Sequence, residues 1–425
     1  MASSWFPLYR ALAAAAAPLA ARRLARAVRD DRTLLARQPE RRGRVPDAGG
    51  ELWIHAASVG EVNAAAPLVD ALVADPARHI VLSTLTHTGA RRAASRWSEQ
   101  ARLRHVFAPL DTAASVQRWL DHTRPDRLLL VETELWPVLL RACRSRAVPV
   151  AMVNARVSAR ALRRYLRFRG LFADALSAIA PVLCQGEADR QRLLELGASP
   201  AATRVTGNLK FDVSAPGTPA PDVLAWRQGR ADRPLWVAGS THAGEEEVVG
   251  RAHRRLLDAL PGARVVVVPR HPERAPEAAA ALAGAGLKTA RIDQPGDADA
   301  LVVDRMGVLA GLYAVADAAF VGGSFAPGVG GHNLLEPALA ARPVLCGPYR
   351  DDQQEAAELL AGADALLTVR GARSLSDALL DVLSDRAAAQ ARGERARAAA
   401  RAGRGALAAS LRALRSWMRE PAGSG

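Results

Sequence analysis

Glu61 follows Gly60 directly in IHAASVGEVNAAAPLV, residues 54–69, where a short apolar run gives way to an alanine-rich stretch of helical periodicity. A carboxylate at that point has two uses. Ser58 and Glu61 have the S-x-x-E spacing of a capping box, in which both side chains satisfy free N–H groups of a helix start. At the mouth of a strand-to-helix turn the same carboxylate is also placed to act as a general base. The sequence leaves both open. In LLLVETELWP, Glu132 and Glu134 follow the apolar run 128–131. At alternate positions of an extended segment they would share one side, and in a turn they would simply be solvated. Lys210, in TGNLKFD, is one of only two lysines in a chain that otherwise uses arginine. A compact ammonium there hints at a specific need, although Lys288 occurs in an ordinary-looking stretch.

The second half carries groups suited to anions. VAGSTHAGEEE, residues 237–247, is a strand followed by small residues and then acids opening a helix. Its free N–H groups form either an anion site or a capped helix start. VVVVPRHPER, residues 265–274, ends an apolar strand with Arg270 and His271 between two prolines, which stiffen the turn that aims them. In FVGGSFAPGVGGHNLLEP a strand runs into two Gly-Gly pairs, and His332-Asn333-Leu334-Leu335-Glu336 then begins a helix. Glycines let backbone approach a ligand closely, and the helix start offers N–H groups to phosphate. Glu336 is placed to hold the hydroxyls of a ribose. Alternatively, Asn333 is an N-cap with Glu336 as its box partner. No G-K-[ST] and no G-x-G-x-x-G follows, so neither a Walker loop nor the dinucleotide fingerprint is present.

The elements that must position these residues alternate along the chain. Short β-rich apolar runs at 52–57, 79–84, 104–107, 127–131, 148–153 and 179–184 are separated by helical patterns. A second set lies at 235–239, 263–268, 301–303, 319–321, 343–346 and 365–369. That alternation predicts an α/β chain of βαβ units with two doubly wound, Rossmann-like domains facing a cleft. Ligands are then expected at the carboxyl ends of the strands. The expected boundaries are a membrane-proximal helix over 1–30, an N-terminal domain over 31–213, a Pro/Gly-rich linker over 214–223 and a C-terminal domain over 224–425.

With 425 residues and 49% hydrophobic content the chain is long enough for two cores. Its net charge of +14 invites a nucleic-acid reading. No zinc-finger spacing and no RNP aromatic motif accompanies the arginines, which leaves a membrane surface or a phosphorylated substrate as the anionic partner. The three cysteines, Cys143, Cys184 and Cys346, match no metal or disulfide pattern. WFPLYRALAAAAAPLAARRLARAVRD has an apolar stretch too short to span a bilayer, which takes about 20 residues, with arginines after it. It reads as a peripheral helix with Trp5, Phe6 and Tyr9 in lipid and arginines on headgroups.

SVGE, ETELWP, NARVS, GNLKFD, GSTHAGEE, PRHPER and GGSFAPGVGGHNLLEP resemble, in order, the motifs of the bacterial Kdo (3-deoxy-D-manno-octulosonic acid) transferases. The resemblance runs from about residue 50 to about 350. It implies a GT-B glycosyltransferase at the cytoplasmic face of the inner membrane, inverting, using CMP-Kdo as donor and the lipid A precursor as acceptor, with no metal or other cofactor and no nucleic acid. Residue by residue, it implies that Glu61 is the catalytic base and that Glu132 and Lys210 stabilise the transition state. CMP contacts carry over to Pro269, Arg270, Met306, Gly307, Asn333, Leu334, Leu335 and Glu336. The family usually reads Met-Gly-Glu at the middle contact, whereas this chain has Met306-Gly307-Val308. The alternatives are another GT-B nucleotide-sugar enzyme, with a different donor or as an epimerase, and an inactive membrane scaffold.

Overall fold

In the computed structural model of the chain the residues described are 5–46, 52–212, 218–219, 221–228, 233–294 and 296–419. Half of the linker expected at 214–223 lies outside them. The chain divides into two compact units, residues 1–212 with 404–425, and residues 213–403.

The first unit is built on a seven-stranded sheet of β1 (Leu52–His55), β2 (Ile80–Thr84), β3 (Leu103–Phe107), β4 (Arg127–Val131), β5 (Val150–Ala155), β6 (Ile179–Cys184) and β7 (Thr203–Val205). Their order is β3-β2-β1-β4-β5-β6-β7 and every pairing is parallel. The strands are near-continuous apolar runs because both faces of a parallel sheet are covered. Successive side chains alternate between the two covers. Trp53, Leu128, Leu130 and Met152 enter one core cluster, and Leu52, Ile54, Leu129 and Val153 enter the other. Trp53 stacks on Trp119 at 3.7 Å between ring centroids. Ser58, Thr86, Thr112 and Ser158 each accept an N–H bond at the start of a helix, which fixes where each helix begins.

The second unit repeats the plan with β8 (Leu235–Thr241), β9 (Arg264–Pro269), β10 (Thr289–Arg291), β11 (Ala300–Val302), β12 (Ala318–Val321), β13 (Val344–Cys346) and β14 (Leu366–Thr368). The order is β10-β11-β9-β8-β12-β13-β14. In each sheet the winding reverses once, between β1 and β4 in the first and between β8 and β12 in the second. Such a reversal leaves a crevice at the carboxyl ends of the two strands. Every strand-like run of the sequence is a strand to within two residues. The sequence reading missed β7 and β10, which have three residues each and expose Arg204, Val205 and Arg291.

Two expectations are corrected. Residues 404–425, read as part of the C-terminal domain, group with the first unit. The helix Ala406–Arg419 buries Ala406, Leu414 and Trp417 in the cluster that contains Ile54 and Val131. The Asp212 carboxylate accepts the N–H groups of Gly405 and Leu407 at 2.7 and 2.6 Å, which seats the start of that helix. At the other end of the chain, the helix Phe6–Arg26 buries none of its residues, yet Phe6 and Tyr9 turn toward the core rather than outward. Arg141 lies 4.3 Å over the Phe6 ring, and the Tyr9 hydroxyl donates to Asp111 at 2.8 Å. The large apolar side chains that face outward are Leu8, Leu12 and Leu19, with Trp5 exposed just before the helix and edge-on to Phe168. Among the described residues no helix is long and apolar enough to cross a membrane.

Candidate functional site

The first crevice collects the residues that end β1 and β4. Ser58 caps the helix Val59–Val73, and Glu61, in its first turn, folds back. Its Oε1 accepts from the Ser58 hydroxyl at 2.8 Å and its Oε2 from the Ala57 N–H at 2.7 Å. The capping arrangement is therefore real. It does not neutralise Glu61, which is 8% exposed. Burial, reinforced by the charge of Glu134, pushes its carboxyl up to about 7, against the opposing pull of Ser58, Ala57 and His55. A carboxylate that titrates near neutrality suits proton transfer.

Glu134 is held from two sides. Trp136 Nε1 donates to it, and His55 Nε2 lies 3.7 Å from its Oε2. Behind His55, the Ser83 hydroxyl meets Trp53 Nε1 at 2.7 Å and His55 Nδ1 at 2.8 Å. An indole N–H only donates, so Ser83 accepts from Trp53 and its oxygen also meets His55 Nδ1, which fixes the ring with Nε2 toward Glu134.

The other two residues expected in catalysis meet each other: Lys210 Nζ lies 3.6 Å from Glu132 Oε1. Glu132 sits at φ +58° and its neighbour on β5, Asn154, at φ +55°. Left-handed conformations of this kind in non-glycine residues cost about 1–3 kcal/mol and cluster at functional sites. Asn154 is completely buried, and its Oδ1 accepts the Leu209 N–H at 2.9 Å. Asn208 Oδ1 accepts the Lys210 N–H at 3.0 Å. These two side-chain amides pin the short 3-10 turn Leu209–Phe211 and with it the base of the lysine.

In the second unit the expected nucleotide contacts leave several strand ends. Pro269 closes β9, and the Arg270 N–H donates to the carbonyl of Thr241 at 2.9 Å, tying the ends of β8 and β9. Met306 and Gly307 form the turn between β11 and the helix Leu309–Val315; Met306 is exposed and Gly307 takes φ +81°. Val308 packs half-buried against the core. Asn333 Oδ1 accepts the Leu335 N–H at 3.0 Å, and its Nδ2 donates to Glu336 Oε1 at 3.2 Å. Burial raises the proton affinity of Glu336, opposed by Asn333. Leu334 and Leu335 are core residues, so only their backbone is available to a ligand.

Several residues escaped the sequence reading. Glu245, in the run taken as acids opening a helix, is a buried ligand of the glycine loop. Its Oε2 accepts from the N–H groups of His242 and Gly323, at 3.0 and 2.7 Å, and its Oε1 from Ser324 and Phe325, both at 2.9 Å. The N–H groups of residues 323–325 therefore bind the chain's own carboxylate rather than an external phosphate. Glu246, also buried, takes Thr241 Oγ1 and Arg274 Nη1 at 2.9 Å each, which locks PRHPER onto the end of β8. His242 and His332 bring their Nε2 atoms to 2.8 Å with the rings nearly parallel. The signal available for all of these was polar residues immediately after apolar strands. What partners they take depends on strand order, which a single sequence does not display. Among the described residues no cluster of three or more His, Cys, Asp or Glu is arranged to hold a metal ion.

Comparison with known proteins bears on both units. The family described as 3-Deoxy-D-manno-octulosonic-acid transferase (kdotransferase) matches residues 36–213. The chain is 38% identical over 381 residues to the 3-deoxy-D-manno-octulosonic acid transferase of Bordetella pertussis, covering 86% of this chain and 87% of that one. It is 35% identical over 337 residues to the enzyme of the same description from Haemophilus influenzae, covering 77% of each. Among solved structures, UDP-GlcNAc 2-epimerase from Neisseria meningitidis bound to UDP-GlcNAc superposes with a TM-score of 0.52 at 12% identity, over 86% of this chain and 99% of that one. At that identity the likeness speaks for the fold alone, which is GT-B.

Proposed function

This chain belongs to the Kdo transferase family and is a glycosyltransferase that transfers Kdo, and we propose that it takes Kdo from CMP-Kdo and inverts it onto a sugar hydroxyl of the lipid A precursor, lipid IVA. The observation that carries this reading is the buried Glu61 carboxylate at the end of β1, poised to take a proton near neutral pH. In this reading Glu61 removes the proton of the acceptor hydroxyl. The oxygen attacks the anomeric carbon of Kdo, and the bond to the CMP phosphate breaks on the opposite face. General-base help of this kind contributes about 10²–10⁴-fold. Lys210, paired with Glu132, supplies fixed charge where charge develops, and no bound metal is required for that role.

CMP is held in the second unit by Pro269 and Arg270, by Met306 and Gly307, and by the segment Asn333 to Glu336. With Val308 turned into the core, the contact at the middle segment falls to the backbone of Met306 and Gly307. The enzyme works at the cytoplasmic face of the inner membrane. Leu8, Leu12 and Leu19 of the N-terminal helix enter the lipid interface, and Arg22, Arg23 and Arg26 meet the anionic headgroups.

The test is a donor panel. Purified protein is incubated with lipid IVA and, separately, CMP-Kdo, UDP-GlcNAc or CMP-N-acetylneuraminate, with products followed by mass spectrometry. Kdo addition from CMP-Kdo alone is the expected result. Epimerised UDP-GlcNAc, or transfer from another donor at a comparable rate, overturns the reading, and no transfer from any donor points to the scaffold.

A further inference from the structure

His242 and His332 stand at the crevice of the second unit, one at the end of β8 and the other on the glycine segment after β12. Their geometry is built rather than incidental. One buried carboxylate, Glu245, holds the backbone N–H of His242 and that of Gly323 together. Gly323, at φ +69°, leaves the room that the second ring occupies: a Cβ there would lie 2.8 Å from Cδ2 and 3.0 Å from Nε2 of His332. The outcome is two rings 5.1 Å apart between centroids, 11° from parallel, joined Nε2 to Nε2 at 2.8 Å.

Counting hydrogens shows what such a pair presents. Two neutral imidazoles carry two N–H groups between them. One fills the Nε2···Nε2 bridge, and the other then sits on Nδ1 of the ring that accepts. A neutral pair therefore turns outward one N–H and one lone pair. A pair with one extra proton turns outward two N–H donors and a positive charge. Neither Nδ1 has a hydrogen bond to another described residue, so both are available to a ligand.

The surroundings favour an anion as that ligand. His332 is faced by His242, Arg270 and His271. His242 is faced by His271 and Arg274 on one side and by Glu245 and Glu246 on the other. Both acids are already committed, Glu245 to the glycine loop and Glu246 to Thr241 and Arg274. Without a ligand, burial and then the neighbouring cations lower the proton affinity of both rings, with His332 pushed down to about 4.

We propose that His242 and His332 form a proton-storing anion site that binds the phosphate of the donor nucleotide and takes up one proton as it does so. The proposal rests on the nucleotide site assigned above and adds to it a catalytic use. As the bond from the anomeric carbon to the phosphate oxygen breaks, its electron pair stays on that oxygen. The protonated pair donates its Nδ1 hydrogens to the phosphate and can pass one proton to it. The proton from the acceptor hydroxyl goes separately to Glu61, so atoms and charge balance without a co-reactant.

The experiment uses the 5′-phosphate methyl ester of cytidine, whose single phosphate charge does not titrate near neutrality. Binding to the full chain is followed by calorimetry from pH 6 to 8 in buffers of different ionisation enthalpy. The expected result for the wild-type protein is net proton uptake and an affinity that falls about tenfold per pH unit across that range, as linkage requires for one proton. His242→Gln and His332→Gln, which keep a hydrogen-bonding group, are expected to lose the uptake and to vary less than twofold with pH. Folding of both variants is checked by thermal melt. Binding without proton uptake, or uptake preserved in both variants, overturns the inference while leaving the nucleotide site standing. No binding to the wild-type protein overturns the nucleotide site and the inference together.

Discussion

Glu61 shows how one side chain serves the fold and the chemistry at once. A capping carboxylate on a helix surface would stay ionised at neutral pH and add stability. Here burial and the charge of Glu134 raise it from an ordinary 4.5 to about 7. The folded chain then holds this proton more tightly than the unfolded chain, so its contribution to stability falls as pH rises from about 4.5 to about 7. Above that window the buried charge costs about 3 kcal/mol. Glu61→Gln keeps an acceptor for the Ala57 N–H and a donor for Ser58 Oγ while removing the charge. It is expected to melt higher than wild type at pH 8, with the difference vanishing near pH 4.5. Melts that rank the two proteins the other way at pH 8 would show that Glu61 is an ordinary cap.

At the scale of elements, function depends on how strand ends are tied together. The sequence displays the strands plainly, because runs such as Leu128 to Val131 and Val265 to Val268 are buried on both faces and leave no other reading. It also displays Glu61, Glu132 and Lys210 as oddities at the ends of those runs. It does not display that Asn154 holds the Leu209 N–H, because those residues are 55 positions apart and meet only once β6 lies beside β5 and β7 beside β6. Nor does it display that Glu245 reaches across from β8 to the loop after β12. The same blindness explains Phe6 and Tyr9, whose aromatic character suits lipid and core equally until Asp111 and Arg141 decide the matter.

Glu245 is the element-scale counterpart of a helix cap, since one carboxylate satisfies four backbone N–H groups on two segments. Replacing it by glutamine leaves one acceptor oxygen and turns an NH₂ toward N–H donors. Each buried donor left without a partner costs about 1–3 kcal/mol. Glu245→Gln is therefore expected to destabilise the second unit by about 2–4 kcal/mol in chemical denaturation. Glu247→Gln, exposed on the same helix turn, should change stability by less than about 0.5 kcal/mol. Equal stabilities for the two variants would show that the glycine loop holds its shape without the carboxylate.

At the scale of the whole molecule, two doubly wound units each carry one crevice. The first holds Glu61 and the Glu132–Lys210 pair, the second the segment Asn333 to Glu336, and the proposed chemistry is divided between them. The short helix Leu335–Leu339 and the turn at Met306-Gly307 show why the residues proposed to hold the nucleotide are the least legible in isolation. Leu334 and Leu335 are core residues whose backbone alone can serve, and a backbone contact leaves little mark on residue type. The C-terminal helix makes the same point about domains. Its stripe of Leu407, Leu411, Leu414 and Met418 has helical spacing, but which sheet it covers is decided by Asp212 and by the cluster around Ile54.

The central claim, that Glu61 is the base of a Kdo transfer, is tested most directly by steady-state transfer from CMP-Kdo to lipid IVA with wild type and Glu61→Gln at saturating substrates. The account expects kcat to fall by about 10²–10⁴-fold, with CMP affinity unchanged within twofold. A variant that keeps its fold and retains kcat within tenfold of wild type would contradict it.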